Sequence, residues 1–502
     1  MRTAPRSMQR ESNFVSCLRF SPTKFSQLVH KASQASTETA RNNQTEYLGR
    51  YLGGIGAKSL VVEWLYVDRN YMEEYATYYS RCLLPRPSTA VRIHVFSSSI
   101  ANRDLDKFIA KAGKRFSDLR EVEKLLSDRY LGFVVVRPIP SVPIGRTVLV
   151  GRSDSSDRRF PGVVPYNIHF LGLSLTVKGV AFQQQDRAVA ACATTAVWTA
   201  LQSVCKLDGA KVPTTFQITE AAIRHTRAAA HTIPNRGLTV AETCDALRGF
   251  GYAPDLFDLH KLDSERLDLA HLCIGIYLRS GLPVILALSK DKGDGHAVTV
   301  VGYDQASGSR HSITLNTQSF GLRHMLHNKI YIHDDRLGPY SRAHIRKENG
   351  NLNLAIPYEG KPDDVLHIKS VITPLYPKVR TNAEELFRKG CIFLHTVRES
   401  TGGTFEMEFF FTRSGDYLRE RFEYSHDDQR LIHFMKTAAL SRYVGVVRYF
   451  SEDRPLFDVL WDTTDRTRQE SLSEQLLGVV SLRTEANDMV NRAAKIFKVI
   501  SG

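Results

Sequence analysis

The sequence lacks any apolar run long enough to span a membrane, since nowhere do about 18 apolar residues follow one another. Its first twenty residues, MRTAPRSMQRESNFVSCLRF, also lack the apolar centre of a secretory signal peptide. Their arginines, serines and scarce acids resemble a mitochondrial transit peptide, but no clear amphipathic face supports one. We therefore expect no membrane partner and a cytoplasmic location.

Cysteine is scarce and follows no metal or disulfide pattern. The chain has seven cysteines in 502 residues, an odd number, and none lies in a Cys-x-x-Cys pair. These features exclude the disulfide framework of a small secreted protein and the paired cysteines of a zinc ribbon. They favour a reducing cytosol, and no metal or organic cofactor is expected.

Concentrated positive charge is absent as well, although the net charge is +14. Lysines and arginines are interspersed with acidic residues along the chain, and no block of five basic residues occurs. A solvated basic surface therefore explains the charge better than a nucleic-acid site does, and we do not expect nucleic acid as a partner.

The length exceeds what one hydrophobic core normally supports, and the sequence contains no internal repeat. Residues 1–45 are polar and predict a partly disordered segment. The sequence of residues 46–180 predicts an α+β module. One helix is expected at 104–128, and Asp68 is expected to cap the helix that follows it. The predicted strands of the module are SLVVEWLYV (59–67), VRIHVFSS (91–98), YLGFVVVRPI (130–139) and RTVLVG (146–151).

Residues 376–502 predict a second α+β module after a central region at 181–375. A helix is expected at NAEELFRKG (382–390), with another near the C-terminus. Strands are expected at CIFLHTV (391–397), TFEMEFFFTR (404–413), YVGVVRYF (443–450) and LFDVLWD (456–462). By analogy, such appended modules often bind substrates or partners.

The central region contains a cysteine at the predicted start of a helix. In ACATTAVWTALQSVCKLDG (191–209), Val197, Leu201 and Val204 form an apolar helical stripe, and Gly209 is a helix stop. Cys192 is then in the first turn, where free amides and the helix dipole stabilise a thiolate. The alternative is an inert buried cysteine, the usual fate of a free one.

A histidine opens the second of two predicted strands in LPVILALSKDKGDGHAVTVVGYD (282–304). His296 follows Gly295 directly, beside a Gly/Asp turn. A histidine at the start of such a strand can lie close to the N-terminus of a helix that packs on the same sheet. It could then take the proton of the Cys192 thiol and return it to a leaving group. A structural histidine is the alternative.

Two acids end the predicted strand in KIYIHDDRLGPY (329–340). Asp334 shares a strand face with Ile330 and Ile332, whereas Asp335 lies on the other face. If the isoleucines face the core, Asp334 can hold His296 in the required tautomer. Asp335 takes that role if the strand bulges, and a solvated Asp-Asp turn is the structural alternative.

Acyl transfer through a thiol also needs hydrogen-bond donors for the oxyanion. One donor would be the backbone amide of Cys192. In FQQQDRAVAAC (182–192), Gln185 stands seven residues before the cysteine and could supply the other donor from its side chain.

These stretches together resemble the papain-like cysteine peptidases, and more closely their bacterial C39-like branch, whose third catalytic member is Asp. The resemblance rests on QQQDRAVAACATTAVW, GHAVTVVGYD and IYIHDDRLGP and covers about residues 181–345. It implies an α+β fold with a papain-like core at 181–375. By similarity, Cys192 is the nucleophile, His296 the base, Asp334 the orienting acid and Gln185 the oxyanion donor.

Two residues depart from the family pattern. The glutamine usually stands six residues before the cysteine, where this chain has Asp186, and Ala193 replaces the usual glycine. Neither change removes the nucleophile or the base.

The resemblance as a whole implies a cysteine peptidase or related thiol hydrolase that acts on a protein or peptide. An acyltransferase or transglutaminase with the same residues, and a catalytically silent papain-like binding protein, are the alternatives.

Overall fold

The computed structural model shows a mixed α+β protein. It describes residues 14–35, 43–152, 155–186, 192–224, 237–290, 295–305, 310–315, 318–358, 360–401, 405–424, 429–465, 472–497 and 499–501. Contacts divide the chain into two units. The first contains residues 1–246, 297–299 and 332–341, and the second contains residues 247–296, 300–331 and 342–502.

The first sheet lies wholly in the first unit and has seven strands in the order β1-β2-β3-β4-β5-β8-β7, each antiparallel to its neighbours. Its strands are β1 (Val15–Arg19), β2 (Ser59–Tyr66), β3 (Ala90–Phe96), β4 (Tyr130–Val136), β5 (Ile144–Leu149), β7 (Val164–Phe170) and β8 (Leu173–Phe182), and the short β6 (Arg158–Arg159) lies outside it.

The helices that accompany this part of the chain are α1 (Pro22–Ser33), α2 (Asn43–Gly54), α3 (Arg69–Thr77), α4 (Asn102–Ala112), α5 (Phe116–Ser127), α6 (Cys192–Asp208), α7 (Thr215–Ile223) and α8 (Val240–Gly249). The predicted cap of α3 is confirmed, because the Asp68 carboxylate accepts the amides of Asn70 and Tyr71. The single helix predicted at 104–128 is wrong, since Gly113 ends α4 and α5 begins at Phe116.

The prediction of partial disorder at 1–45 stays a prediction, but the described residues 14–35 of that segment form β1 and α1. Ser21 caps α1 by accepting the amide of Lys24, and Pro22 occupies the first helical turn. Phe25, Leu28 and Val29 recur at helical spacing and are buried. A short apolar stripe inside a polar segment therefore suffices for a helix when a sheet offers it a surface.

The second sheet contains the strands of the candidate site. Its strand order is β10-β11-β14-β15-β16-β17-β9, and β10 also pairs with β17, which closes a ring of pairings. The contact division passes through β11 and β14. The strands are β9 (Ala253–Asp258), β10 (Val284–Ser289), β11 (Gly295–Asp304), β14 (Lys329–Asp334), β15 (Gly338–Glu348), β16 (Asn351–Tyr358) and β17 (Lys361–Leu375).

The third sheet lies in the second unit, in the order β12-β13-β18-β19-β20-β21-β22. Its strands are β12 (Arg310–Leu315), β13 (Gln318–Arg323), β18 (Glu406–Arg413), β19 (Tyr443–Ser451), β20 (Arg454–Asp462), β21 (Leu476–Ser481) and β22 (Ile500–Ser501). The sequence placed β12 and β13 in the central region, but β13 pairs in parallel with β18 and so extends the C-terminal sheet.

The remaining helices are α9 (Ser264–Arg279), α10 (Ala383–Thr401), α11 (Ser414–Tyr424), α12 (Gln429–Thr437), α13 (Leu472–Gln475) and α14 (Asn487–Phe497). The strand predicted at 391–397 is wrong, because α10 continues through it. Leu386, Phe387, Phe393 and Leu394 are buried at helical spacing. Among the described residues, no helix has both the length and the apolar character needed to cross a membrane.

Candidate active site

The helix predicted to begin at Cys192 does begin there. Residues 193–205 of α6 are buried, whereas the Cys192 side chain at its first residue is half-buried. The predicted apolar stripe is confirmed, as Val197, Leu201 and Val204 are fully buried. Gly209 ends the helix with φ 73°, which favours glycine. The thiol therefore lies at the free-amide end of a buried helix.

His296 lies at the second position of β11, and Asp334 ends the neighbouring strand β14. All three side chains of the group His296, Asp334 and Asp335 are buried, and one ligand atom from each lies within 4.8 Å of the others. The imidazole therefore lies within 4.8 Å of both acids that the sequence left as alternatives. A carboxylate that accepts a hydrogen bond from an imidazole can hold it in one tautomer and stabilise its charged form.

A side-chain hydrogen bond connects the histidine strand with the cysteine helix. The Thr299 hydroxyl donates to the Ala196 carbonyl at 2.8 Å, and both residues are buried. Ala196 lies one turn after Cys192, and Thr299 lies three residues after His296. The bond therefore joins the fifth residue of α6 to the fifth residue of β11.

The two acids have different local roles. Asp334 Oδ1 accepts the backbone amide of Arg336 at 2.9 Å and lies 3.6 Å from the Arg336 Nε. The backbone carbonyl of Asp335 accepts a 2.9 Å hydrogen bond from Gln44 Nε2 on α2. Asp334 thus stabilises the turn after β14 with one carboxylate oxygen, whereas the main chain at Asp335 is anchored by a helix of the same unit.

That turn fits closely against α2. Tyr47 donates its hydroxyl to the Pro339 carbonyl at 2.8 Å. Gly338 has φ 154°, and a Cβ added there would overlap the Tyr47 ring. Glycine is therefore required at this position by both conformation and space.

A cavity of about 670 Å³ adjoins the acid turn within the first unit. Its walls are largely polar and are formed by α2, the end of α3 and the following residues, the β4–β5 connection, and the residues after β8 and β14. They include Asn43, Gln44, Tyr78, Tyr79, Cys82, Arg86, Ile139, Ser141, Val142, Gln184, Gln185, Asp186, Asp335 and Arg336. Gln185, predicted as the oxyanion donor, and Asp335, the alternative to Asp334, therefore line one cavity. Among the described residues, Cys192 and His296 do not line it.

Three consecutive glutamines precede the cysteine, and their surroundings differ. Gln183 and Gln184 are buried, and Gln184 Oε1 accepts the Ile144 amide at 3.3 Å. Gln185 is half-buried and lines the cavity. Of the three side chains, Gln185 is the one that combines solvent access with a position on the cavity wall, despite its spacing of seven residues from Cys192.

Sequence reasoning missed a buried charged cluster beside Gln185. Arg137 Nη1 donates to Glu74 Oε2 at 3.0 Å, and Tyr79 donates its hydroxyl to Asp186 Oδ2. Burial raises the pKa of Glu74 to about 7 against the opposing charge of Arg137. The arginine that interrupts the apolar strand at VVVRP was the available signal, because a charge in such a run is buried only with a partner.

The same cluster of His296, Asp334 and Asp335 carries donor atoms that could bind a divalent cation. One imidazole nitrogen and two carboxylates suit zinc, and sites of this kind leave a position for water. The arrangement also suits a histidine oriented by a carboxylate, which needs no metal. These two chemical uses of one cluster require different experimental tests.

His333 directly precedes the two acids in β14, and its buried ring is enclosed by neighbouring side chains. Its ring packs edge-on against Phe182 and Tyr340, with centroid distances of 5.6 and 4.8 Å. Burial lowers its pKa to about 3, so the ring is neutral at physiological pH.

No protein-family model matches the chain, and a search of curated proteins finds no match either. The resemblance to papain-like peptidases therefore depends on the sequence motifs of this chain alone.

Proposed function

We propose that the chain is a cysteine peptidase or a closely related thiol hydrolase with a papain-like core. Cys192 is the nucleophile, His296 the general base and acid, and Gln185 an oxyanion donor. Asp334 orients the histidine, with Asp335 as the alternative. The observation that carries the proposal is the position of His296 within 4.8 Å of both acids, on a strand whose Thr299 bonds to Ala196 of the cysteine helix.

The reaction follows from these roles. The Cys192 sulfur attacks the substrate carbonyl while His296 accepts the thiol proton, and the carbonyl electron pair moves to oxygen. Gln185 and the Cys192 amide donate hydrogen bonds to that oxyanion. The C–N bond then breaks, and His296 protonates the leaving amine. Water, deprotonated by His296, hydrolyses the thioester and releases the acid.

The cavity supports a peptide as the substrate class. Its glutamine, asparagine and serine side chains can hydrogen-bond to peptide groups, and its tyrosines offer flat apolar surface. Its volume of about 670 Å³ falls within the usual range of ligand pockets, and Gln185 and Asp335 on its wall connect it with the proposed site. An isopeptidase or a transglutaminase would use the same four residues, since only the nucleophile that reaches the thioester differs.

Incubation with a mixture of fluorogenic peptide amides tests the proposal, with Cys192→Ser and Cys17→Ser as matched variants, since Cys17 is also half-buried and does not line the cavity. We expect hydrolysis by the wild type and by Cys17→Ser, but none by Cys192→Ser. Thioester transfer to an added amine, without hydrolysis, would identify an acyltransferase. Equal inactivity of all three proteins, with an unreactive Cys192, would indicate the silent binding protein.

The zinc alternative is separated by a second arm of the same experiment. Under the thiol mechanism, hydrolysis persists in EDTA and is abolished by iodoacetamide. Loss of activity in EDTA with recovery on addition of Zn²⁺ would instead assign His296, Asp334 and Asp335 to a metal site.

A further inference from the structure

Arg137 holds the chain segment that leads to Gln185. Its Nη2 donates to the carbonyls of Gln184 at 3.1 Å, Val142 at 2.9 Å and Ile144 at 3.4 Å. One guanidinium group thus connects the end of the β4–β5 connection with the residue directly before Gln185. Arg137 is almost fully buried, so these hydrogen bonds do not compete with water.

The residue on the other side of Gln185 is fixed as well. Asp186 is buried and accepts the Tyr79 hydroxyl, while Gln184 exchanges hydrogen bonds with both backbone groups of Ile144. The backbone is therefore held immediately before and immediately after Gln185. Between these two anchors the Gln185 side chain remains half-buried on the cavity wall.

Arg137 is itself kept in place by a carboxylate. Glu74 Oε2 accepts from Arg137 Nη1 at 3.0 Å, and Glu74 Oε1 accepts the Thr215 hydroxyl at 3.0 Å. The charges of Glu74 and Asp186 raise the pKa of Arg137 despite its burial, so the guanidinium remains protonated. Because a buried charge without its partner is strongly unfavourable, this group of side chains has one stable arrangement.

We propose that Arg137 is a positioning residue that aims the Gln185 amide at the oxyanion of the reaction, with Glu74 fixing Arg137. The inference rests on the proposed function.

A peptide aldehyde tests this role because its adduct contains the oxyanion. The Cys192 sulfur adds to the aldehyde carbon, one C–S bond forms, and the carbonyl electron pair moves to oxygen while His296 takes up the thiol proton. Alkylation by iodoacetamide displaces iodide from a CH₂ carbon and forms no oxyanion. Protection of Cys192 against iodoacetamide by N-acetyl-Leu-Leu-leucinal therefore gives the aldehyde dissociation constant without a known substrate.

We expect Arg137→Lys to weaken aldehyde binding about tenfold while leaving the rate of Cys192 alkylation within twofold of the wild type. Arg92→Lys is the matched control, because Arg92 is also buried. Its guanidinium likewise donates to a glutamate side chain, that of Glu63, and to a backbone carbonyl, that of His169. This control should leave both readouts unchanged. If Arg137→Lys does not fold, Glu74→Gln keeps the shape of the side chain and should weaken aldehyde binding in the same direction.

A double variant separates positioning from a general structural effect. In a Gln185→Ala background, Arg137→Lys should produce no further loss of aldehyde affinity. Additive losses, or wild-type affinity in both Arg137→Lys and Glu74→Gln, would overturn the inference while the thiol mechanism stands. Absence of aldehyde protection in the wild type would overturn the proposed function, and the inference with it.

Discussion

The Thr299 hydroxyl donates a 2.8 Å hydrogen bond to the Ala196 carbonyl, and this bond connects the histidine strand to the cysteine helix one turn after Cys192. Thr299→Val keeps the shape of the side chain but removes the donor. We expect the free energy of unfolding to fall by about 1 kcal/mol in a urea titration. Thr176→Val is the control, since the Thr176 hydroxyl bonds to Asn167 in an exposed position and should change stability little. Equal effects would contradict the role given to Thr299.

The seven cysteines should differ sharply in reactivity. Cys192 and Cys17 are both half-buried, but burial and the nearby Asp106 and Asp104 raise the pKa of Cys17 to about 11. Only roughly one Cys17 in ten thousand is then a thiolate at pH 7. We expect iodoacetamide to modify Cys192 first, as measured by peptide mapping over time. Comparable rates at Cys192 and Cys17 would argue against an activated thiol.

The two acids beside His296 can be ranked with isosteric variants. Asn at position 334 can still accept the Arg336 amide, so the turn after β14 should persist in Asp334→Asn. We expect this variant to slow hydrolysis by at least about tenfold because the histidine loses its orienting charge. Asp335→Asn should have the smaller effect on the same peptide amide. The reverse order would move the orienting role to Asp335.

The buried His333 should contribute to acid sensitivity. Its pKa is lowered by burial to about 3, whereas the unfolded chain titrates near the ordinary value of 6.5. The unfolded state therefore binds more protons between these values, and stability falls as the pH decreases from about 6.5 toward 3, at up to about 1.4 kcal/mol per pH unit. His333→Phe should reduce this slope, as measured by urea unfolding at pH 7.5, 6 and 5. An unchanged slope would show that His333 is protonated in the folded state.

Local patterns predicted the elements that carry the candidate site. Periodicity and a terminal glycine were enough to predict α6 and its start at Cys192, because a buried helix needs both an apolar surface and a stop. Alternation could not decide between Asp334 and Asp335, since both faces of β14 are buried and Ile332 and His333 are equally hidden.

Contacts between distant segments were beyond the sequence. The apolar stretch at 391–397 suits a strand by composition, but the helix that begins at Ala383 buries Phe393 and Leu394 by continuing through it. Likewise, Arg137 and Glu74 are 63 residues apart, and although an arginine in an apolar strand indicates a buried partner, neither local pattern identifies Glu74 as that partner. Tertiary packing decides such cases. It also decides the placement of the hairpin β12–β13, which joins a sheet formed far downstream.

The most direct test of the central claim is the pH dependence of Cys192 alkylation in the wild type and in His296→Ala. The account predicts a wild-type rate whose midpoint lies well below about pH 8.5, and a midpoint that moves upward when the imidazole is removed. The same ordinary thiol profile in both proteins would contradict an activated Cys192–His296 pair.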